Sequence, residues 1–244
     1  MKMRTCSEIA IASRTHTGLV RNDNQDRLYV KCLDEQSLLM AVADGMGGGP
    51  AGGEAAAIMC DALTRMSGPI RDPEQALRDA VMTASNTILG LVRENPEREG
   101  MGTTATVTYL SNGEVQWVHV GDTRFYVFRR GGLIQVTVDQ TMAQLLVEEG
   151  RITADQARTH PYNNLLDQCV GCPMCEPEAG SFSIHQGDIL LHTTDGLHDA
   201  LSKAEMEHIL ASHQDSVKEM ANALIQAALD TGGKDNVTVL LAAV

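Results

Sequence analysis

Apolar and polar positions change period several times along the chain, and each change marks a predicted element. "SEIAIASRTHTG" (7–18) and "RLYVKCL" (27–33) read as strands, and "SLLMAVAD" (37–44) is a buried one. Two long helices are expected next. The alanine-rich first spans about 52–66; the second opens after Asp72-Pro73, an N-cap with proline at the first helical position, and runs to about 94. A meander follows. "TTATVTYL" and "EVQWVHVG" flank Ser111-Asn112-Gly113, while "RFYVFRR" and "LIQVTV" flank Gly131-Gly132, giving two hairpin signals in succession. Short helices are expected at about 142–149 and 153–159, before an irregular segment holding cysteines. The final third reads as a strand "DILLHTTD", helices near 203–212 and 216–231, and a closing strand "NVTVLLAAV". Strand runs separated by helix pairs predict an α+β sandwich, sheet on sheet with helices outside. No repeat or long linker divides the 244 residues, so one domain over 1–244 is expected.

Charge narrows the partners. The net charge of -13 argues against nucleic acid and anionic membrane surfaces, which are bound through Lys and Arg clusters. The longest apolar stretches, 38–43 and 237–244, are far too short to span a bilayer, and residues 1–5 have no apolar leader. A cytoplasmic protein without membrane insertion, bound to other proteins, is the expectation. There the thiols would be reduced, so no disulfide framework is expected among the six cysteines. Cys169, Cys172 and Cys175 form a CxxCxxC cluster, expected as plain loop cysteines. The alternatives are a regulatory disulfide, or zinc with His160 or His185 as fourth ligand.

Four acids stand at strand ends. Asp44 closes "SLLMAVAD", Asp122 closes "EVQWVHVGD", Asp195 closes "DILLHTTD", and Asp235 precedes "NVTVLL". An isolated Asp-Gly is an ordinary turn dipeptide. Three of these acids adjoin a glycine and Asp235 follows Gly233-Lys234, a repeated pattern, and converging carboxylates in low dielectric repel unless protonated or neutralised by cations. Carboxylate and carbonyl ligands suit hard ions such as magnesium or manganese. Phosphate-cradle readings fail: Ala228, just before "LDTGGKDN", stands where a P-loop needs its first glycine, and Asp235 follows Lys234 where Ser or Thr is needed. "NDNQDR" has Arg27 at the glycine of a calcium loop, and neither GxSxG nor HExxH occurs.

Taken in order, "GLVRNDNQD", "VADGMGGG", "GTTATV", "HVGDTRFYVFRRG", "HTTDGL" and "GGKDNVTVLL" resemble the metal-dependent protein serine/threonine phosphatases of the type 2C family in their compact bacterial form. The resemblance implies a four-layer α-β-β-α sandwich, two packed antiparallel sheets flanked by helix pairs, with metals at one end. It implies hydrolysis of phosphoserine or phosphothreonine on proteins, opposing a Ser/Thr kinase, through attack by a hydroxide bridging Mn2+ or Mg2+ ions. Two ions would occupy the main site, with a third beside it. By the same resemblance, Asp44 bridges the two ions, the Gly45 carbonyl holds the second, and Asp195 and Asp235 complete the first. Asp122 with Asp195 would hold the third ion, and Asp26 would act through a metal-bound water. Arg21 would grip the substrate phosphate, while Asn236 and Thr104 would support the water shell. The implied protein is a monomer with a flap at about 140–177 that sets substrate choice.

Departures from that pattern are Gln25 for a frequent Glu, Met46 for a frequent His, Gly49-Pro50 in place of a His after Gly-Gly, and Asp139-Gln140 for Asp-His. Gln25 implies weaker affinity for the second ion, and it motivates the alternative of a non-catalytic phosphoprotein-binding regulator. His119 and His192 are expected as satisfied core histidines, His198 as an exposed residue at a helix start, and His160 as part of the flap.

Overall fold

The computed structural model describes residues 6–47 and 50–244. Its strands and helices, in chain order, are β1 (Ala10–His16), β2 (Arg27–Cys32), β3 (Ser37–Ala43), β4 (Gly45–Met46), α1 (Ala51–Thr64), α2 (Pro73–Glu94), β5 (Gly102–Thr103), β6 (Ala105–Ser111) and β7 (Glu114–Val120). They continue with β8 (Arg124–Arg129), β9 (Gly132–Gln135), α3 (Met142–Glu148), α4 (Ala154–Ala157), β10 (Glu178–Ser183), β11 (Ile189–Thr193), α5 (Asp195–His198), α6 (Lys203–Ser212), α7 (Val217–Asp230) and β12 (Val237–Ala243). One sheet has the order β1-β12-β11-β8-β9 and the other β10-β7-β6-β3-β2, while β4 and β5 form a small third ladder. Helices α1 and α2 cover the second sheet, and α6 and α7 cover the first. The four-layer α-β-β-α sandwich is the observed architecture.

Strand β3 shows why its sequence lacks alternation. Leu39, Ala41 and Ala43 pack under α1 and α2, while Leu38, Met40 and Val42 enter the layer between the sheets, so every side chain is buried. A strand covered on both faces has no wet side to mark its period. In β12, Val239 and Leu241 likewise meet the helices and Leu240 meets the facing sheet.

Local signals decide the element ends. The Asp72 carboxylate accepts from the Gln75 amide at 3.2 Å, as its N-cap position requires. Asn112 and Gly113 both take positive φ, of 53° and 78°, in the β6–β7 hairpin. The next hairpin turns on Arg130 and Gly131, at φ 53° and 83°, so its turn sits one residue earlier than expected and Gly132 already belongs to β9. The predicted first strand begins later, because Cys6–Glu8 forms a short 3-10 turn. Strand β10 escapes the sequence pattern: it is an edge strand paired only with β7, and most of its residues are partly wet.

Two disulfides correct the expectation of reduced thiols. Cys6 pairs with Cys32, with Cα atoms 6.0 Å apart, and Cys169 pairs with Cys172 at 5.3 Å. Both separations fall in the range that a disulfide spans. The first pair is non-local in sequence; the Cys6 amide bonds the Glu35 carbonyl in the β2–β3 turn, which sets Cys6 beside the end of β2. The zinc alternative for the CxxCxxC cluster is overturned, since two of its sulfurs bond each other and only Cys175 keeps a free thiol. No helix among the described residues is long and apolar enough to cross a membrane. The expectations for residues 1–5 and for Gly48 and Gly49 lie outside the described residues.

Candidate metal centre

The sandwich brings distant chain segments to one end. Asp44 leaves β3, Asp195 opens α5 directly after β11, Asp235 and Asn236 lead into β12, and the β1–β2 connection contributes Arg21 and Asp26. A pocket of about 560 Å³ is lined by Arg21, Gln25, Asp44, Gly45, Asp195, Asp235 and Asn236, among others. Asp122 does not line it. It lines an adjoining pocket of about 400 Å³ with Arg124, Asp139, His198 and Asp199, and Asp195 stands in the wall of both.

Backbone hydrogen bonds hold Asp44 in place. Its amide donates to Thr104 Oγ1 at 2.9 Å, and its carbonyl accepts from the Thr104 amide at 2.9 Å and from Thr103 Oγ1 at 2.8 Å. Thr104 therefore fixes the chain that carries Asp44 from both its hydroxyl and its amide. The glycines after two of the acids answer a packing demand. A Cβ on Gly45 would lie 2.1 Å from the Gly52 carbonyl oxygen, and one on Gly196 would lie 2.0 Å from that of Asn236. Gly52 has a related role: a Cβ there would sit 2.7 Å from the Gly45 carbonyl oxygen and crowd it.

The carboxyl groups interact strongly with one another. Asp44 is pushed well above the usual carboxylate range, first by burial and then by the charges of Asp26, Asp195 and Asp122. Burial likewise lifts Asp195, with Asp122, Asp235, Asp199 and Asp26 adding repulsion. Asp26 is raised to about 6 by burial, although Thr238 and Thr194 donate to its Oδ2 at 2.6 and 2.9 Å. Asp122 reaches about 7 through burial and the nearby charges of Asp139 and Asp199. The Oδ1 atoms of Asp26 and Asp195 are buried with no hydrogen-bond partner. Buried carboxylates without donors are costly, and a hard divalent cation is the group whose binding turns this repulsion into attraction. The donor set of carboxylate oxygens with the uncrowded Gly45 carbonyl fits magnesium or manganese. Among the described residues no group of three or more His, Cys, Asp or Glu side chains is already drawn together as a metal-holding cluster.

Two side chains are engaged differently from the sequence expectation. Arg21 donates from Nη2 to Asp235 Oδ2 at 2.7 Å, so the expected phosphate grip and an expected metal ligand are bonded to each other. The Asn236 amide faces the backbone: Oδ1 accepts from the Gln25 amide at 2.8 Å, and Nδ2 donates to the Thr17 and Asp23 carbonyls at 2.8 and 2.9 Å. Asn236 thus ties the Arg21-bearing connection to β12.

The histidines also sort differently. His119 is satisfied by Thr106 Oγ1 at 2.9 Å and the Val138 carbonyl at 3.1 Å, whereas neither ring nitrogen of the fully buried His192 has a partner. His198, expected to be exposed, is buried and bonded to Thr193 Oγ1 at 2.9 Å. Asp199 went unnoticed in the sequence. It lies four residues after Asp195, its amide donates to the Asp195 carbonyl at 2.8 Å, and its side chain accepts from Asn164. An i,i+4 acid pair on the helical turn that follows a strand-end Asp was the available signal.

The profile of the family described as Protein phosphatase 2C matches residues 12–235, and the chain belongs to that family. A curated relative, the serine/threonine protein phosphatase PstP of Mycobacterium tuberculosis, is 39% identical over 95% of this chain. The chain spans 44% of that protein's length. The serine/threonine phosphatase stp of Listeria welshimeri is 31% identical, and the match covers 93% of each. Among solved structures, the catalytic domain of PstP in complex with 2 manganese ions superposes with a TM-score of 0.86 and 36% identity, covering 96% of this chain and 97% of that one.

Proposed function

We propose that this chain is a metal-dependent protein phosphatase that removes phosphate from phosphoserine and phosphothreonine on proteins. The observation that carries the reading is the pocket in which Asp44, Asp195 and Asp235 face Arg21, with the Asp195 Oδ1 lacking any donor. Asp44, the Gly45 carbonyl, Asp195 and Asp235 would hold two Mn2+ or Mg2+ ions, and Asp122 with Asp195 a third. When bound, the ions supply Lewis acidity and an activated water near neutral pH.

The chain's own groups do the rest. Arg21 is largely exposed and uses one nitrogen on Asp235, so a cation drawn to Asp235 competes with it and frees the guanidinium to grip a phosphate bidentately. Thr103 and Thr104 keep Asp44 aimed into the pocket. Asp26 stands behind it as a buried acceptor held by Thr194 and Thr238. Asn236 keeps the Arg21 connection seated. Retention of Asp44, Asp195, Asp235 and Arg21 together favours catalysis over a binding-only role.

Residues 140–177 form the proposed flap. Asn163, Asn164 and Arg158 from this segment reach the walls around Asp195, which supports a part in substrate choice. A single domain over 1–244, a monomeric state and a partner Ser/Thr kinase complete the reading. The test is hydrolysis of a phosphothreonine peptide with manganese, with chelator, and by Asp44→Asn. Manganese-dependent turnover that the variant lowers on the order of a hundredfold or more is the expected result. A wild type that is inert with manganese would overturn the proposal.

A further inference from the structure

The cysteine cluster touches the backbone that carries the metal centre. Cys169 and Val170 are fully buried and Cys172 is half-buried, and the disulfide joins the two cysteines across Val170 and Gly171. Val170 exchanges both backbone hydrogen bonds with Thr103, amide to carbonyl, at 2.8 and 3.0 Å. Thr103 in turn pairs with Gly45 across the β4–β5 ladder and gives its hydroxyl to the Asp44 carbonyl at 2.8 Å. Packing is close on this side: a Cβ on Gly102 would lie 3.0 Å from Cys169 Sγ. On the far side, the Gly171 amide donates to Ser85 Oγ of α2 at 3.0 Å. A small covalent ring is thus wedged between a long helix and the strand that positions Asp44 and Gly45.

We propose that Cys169–Cys172 is a redox site, reduced by a dithiol, and that its oxidised form strengthens divalent-cation binding at Asp44 and Gly45 by holding Val170 against Thr103. The proposal rests on the reading of Asp44 and Gly45 as cation ligands. The half-buried Cys172 sulfur is the one an external thiolate reaches. Attack there breaks the Cys169–Cys172 bond, and Cys169 leaves as a thiolate that takes up a proton. The second thiol of the reductant then displaces Cys172 as a thiol. Two electrons pass to the protein disulfide, and the reductant ends as its own disulfide. Opening the ring returns torsional freedom to residues 169–172, and that entropy now opposes the Val170–Thr103 pairing. Cys175 is a bystander, since it stands outside the disulfide and burial pushes its thiol up.

The test compares air-oxidised protein, the same protein in dithiothreitol, and Cys172→Ser and Cys175→Ser in each condition. Alkylation of denatured protein with mass analysis reads the cysteine state; amide exchange at Thr103 and Val170 in chelator reads the strand contact; calorimetric titration with manganese reads affinity. Reduction and Cys172→Ser should each speed the two amides by about tenfold and weaken manganese binding by a comparable factor, roughly a decade per 1.4 kcal/mol of lost contact. Cys175→Ser should retain the wild-type redox response, and Cys172→Ser should retain none, which excludes effects of Cys6–Cys32. Equal exchange and affinity in oxidised and reduced protein would overturn the proposal, as would alkylation of Cys169 and Cys172 without reductant. If no form binds manganese while exchange still follows oxidation, the cation reading fails and the coupling to the strand stands.

Discussion

Replacing His192 by leucine should stabilise the protein, and increasingly so in acid. His192 lies in β11 opposite Phe125 and Leu240, its ring stacked on Phe125 with centroids 4.6 Å apart. Both ring nitrogens are buried without a partner. A neutral imidazole therefore leaves one donor and one acceptor unpaired, each costing about 1–3 kcal/mol. Leucine removes both and forfeits a ring stack worth about 0.5–1.5 kcal/mol. The net gain at pH 7 is about 2 kcal/mol, or about 4–8 °C in Tm for a chain of this size. Burial also depresses the His192 pKa to about 3 from 6.5. A depressed base is neutral in the fold while the unfolded chain takes up a proton, so this contribution is intact above 6.5 and is lost as pH falls toward 3. The loss is at most about 1.4 kcal/mol per pH unit, so the variant's advantage should grow by about 2 kcal/mol between pH 6.5 and 5. Urea unfolding of both proteins at pH 8, 6.5 and 5 measures it. A variant less stable than wild type, or an advantage independent of pH, would refute the reasoning.

Three further outcomes follow from the site. Arg21→Ala should change stability by less than about 1 kcal/mol, because its pair with Asp235 is exposed, yet raise KM for a phosphopeptide, with Arg21→Lys restoring only part of the loss; urea melts and steady-state kinetics separate the two. Asp122, raised to about 7 from 3.8, weakens the metal-free fold progressively as pH rises from about 4 to 7; Asp122→Asn in chelator should therefore gain Tm over that window and gain nothing below it. Gly196→Ala places a methyl carbon 2.0 Å from the Asn236 carbonyl oxygen, so it should cost about 1–3 kcal/mol or more by thermal melt and lower manganese affinity by shifting Asp195.

Much of the fold was legible because local rules and tertiary packing agree. The capping Asp72, the Asn112-Gly113 turn and the all-apolar β3 each announce their element through backbone or burial demands that act within a few residues. β10 was not legible, since an edge strand needs little apolar patterning. The four strand-end acids were legible as a set, because carboxylates beside glycine recur too regularly to be turns alone. Their division between two pockets, with Asp195 common to both, was not.

By itself, then, the sequence determined the strand and helix order, the layered class and the chemical type of the site, all of which rest on periodicity, capping and residue type. Tertiary structure alone decided which groups meet. Arg21 reaches Asp235 across 214 positions, Asn236 spends its amide on the Arg21 connection, and Gly45 and Gly196 are glycines because another stretch of backbone lies against them. It also decided that Cys6 and Cys32 are bonded and that His192 has no partner. Such pairings depend on distances between residues far apart in the chain, and only the packed sheets and helices set those distances.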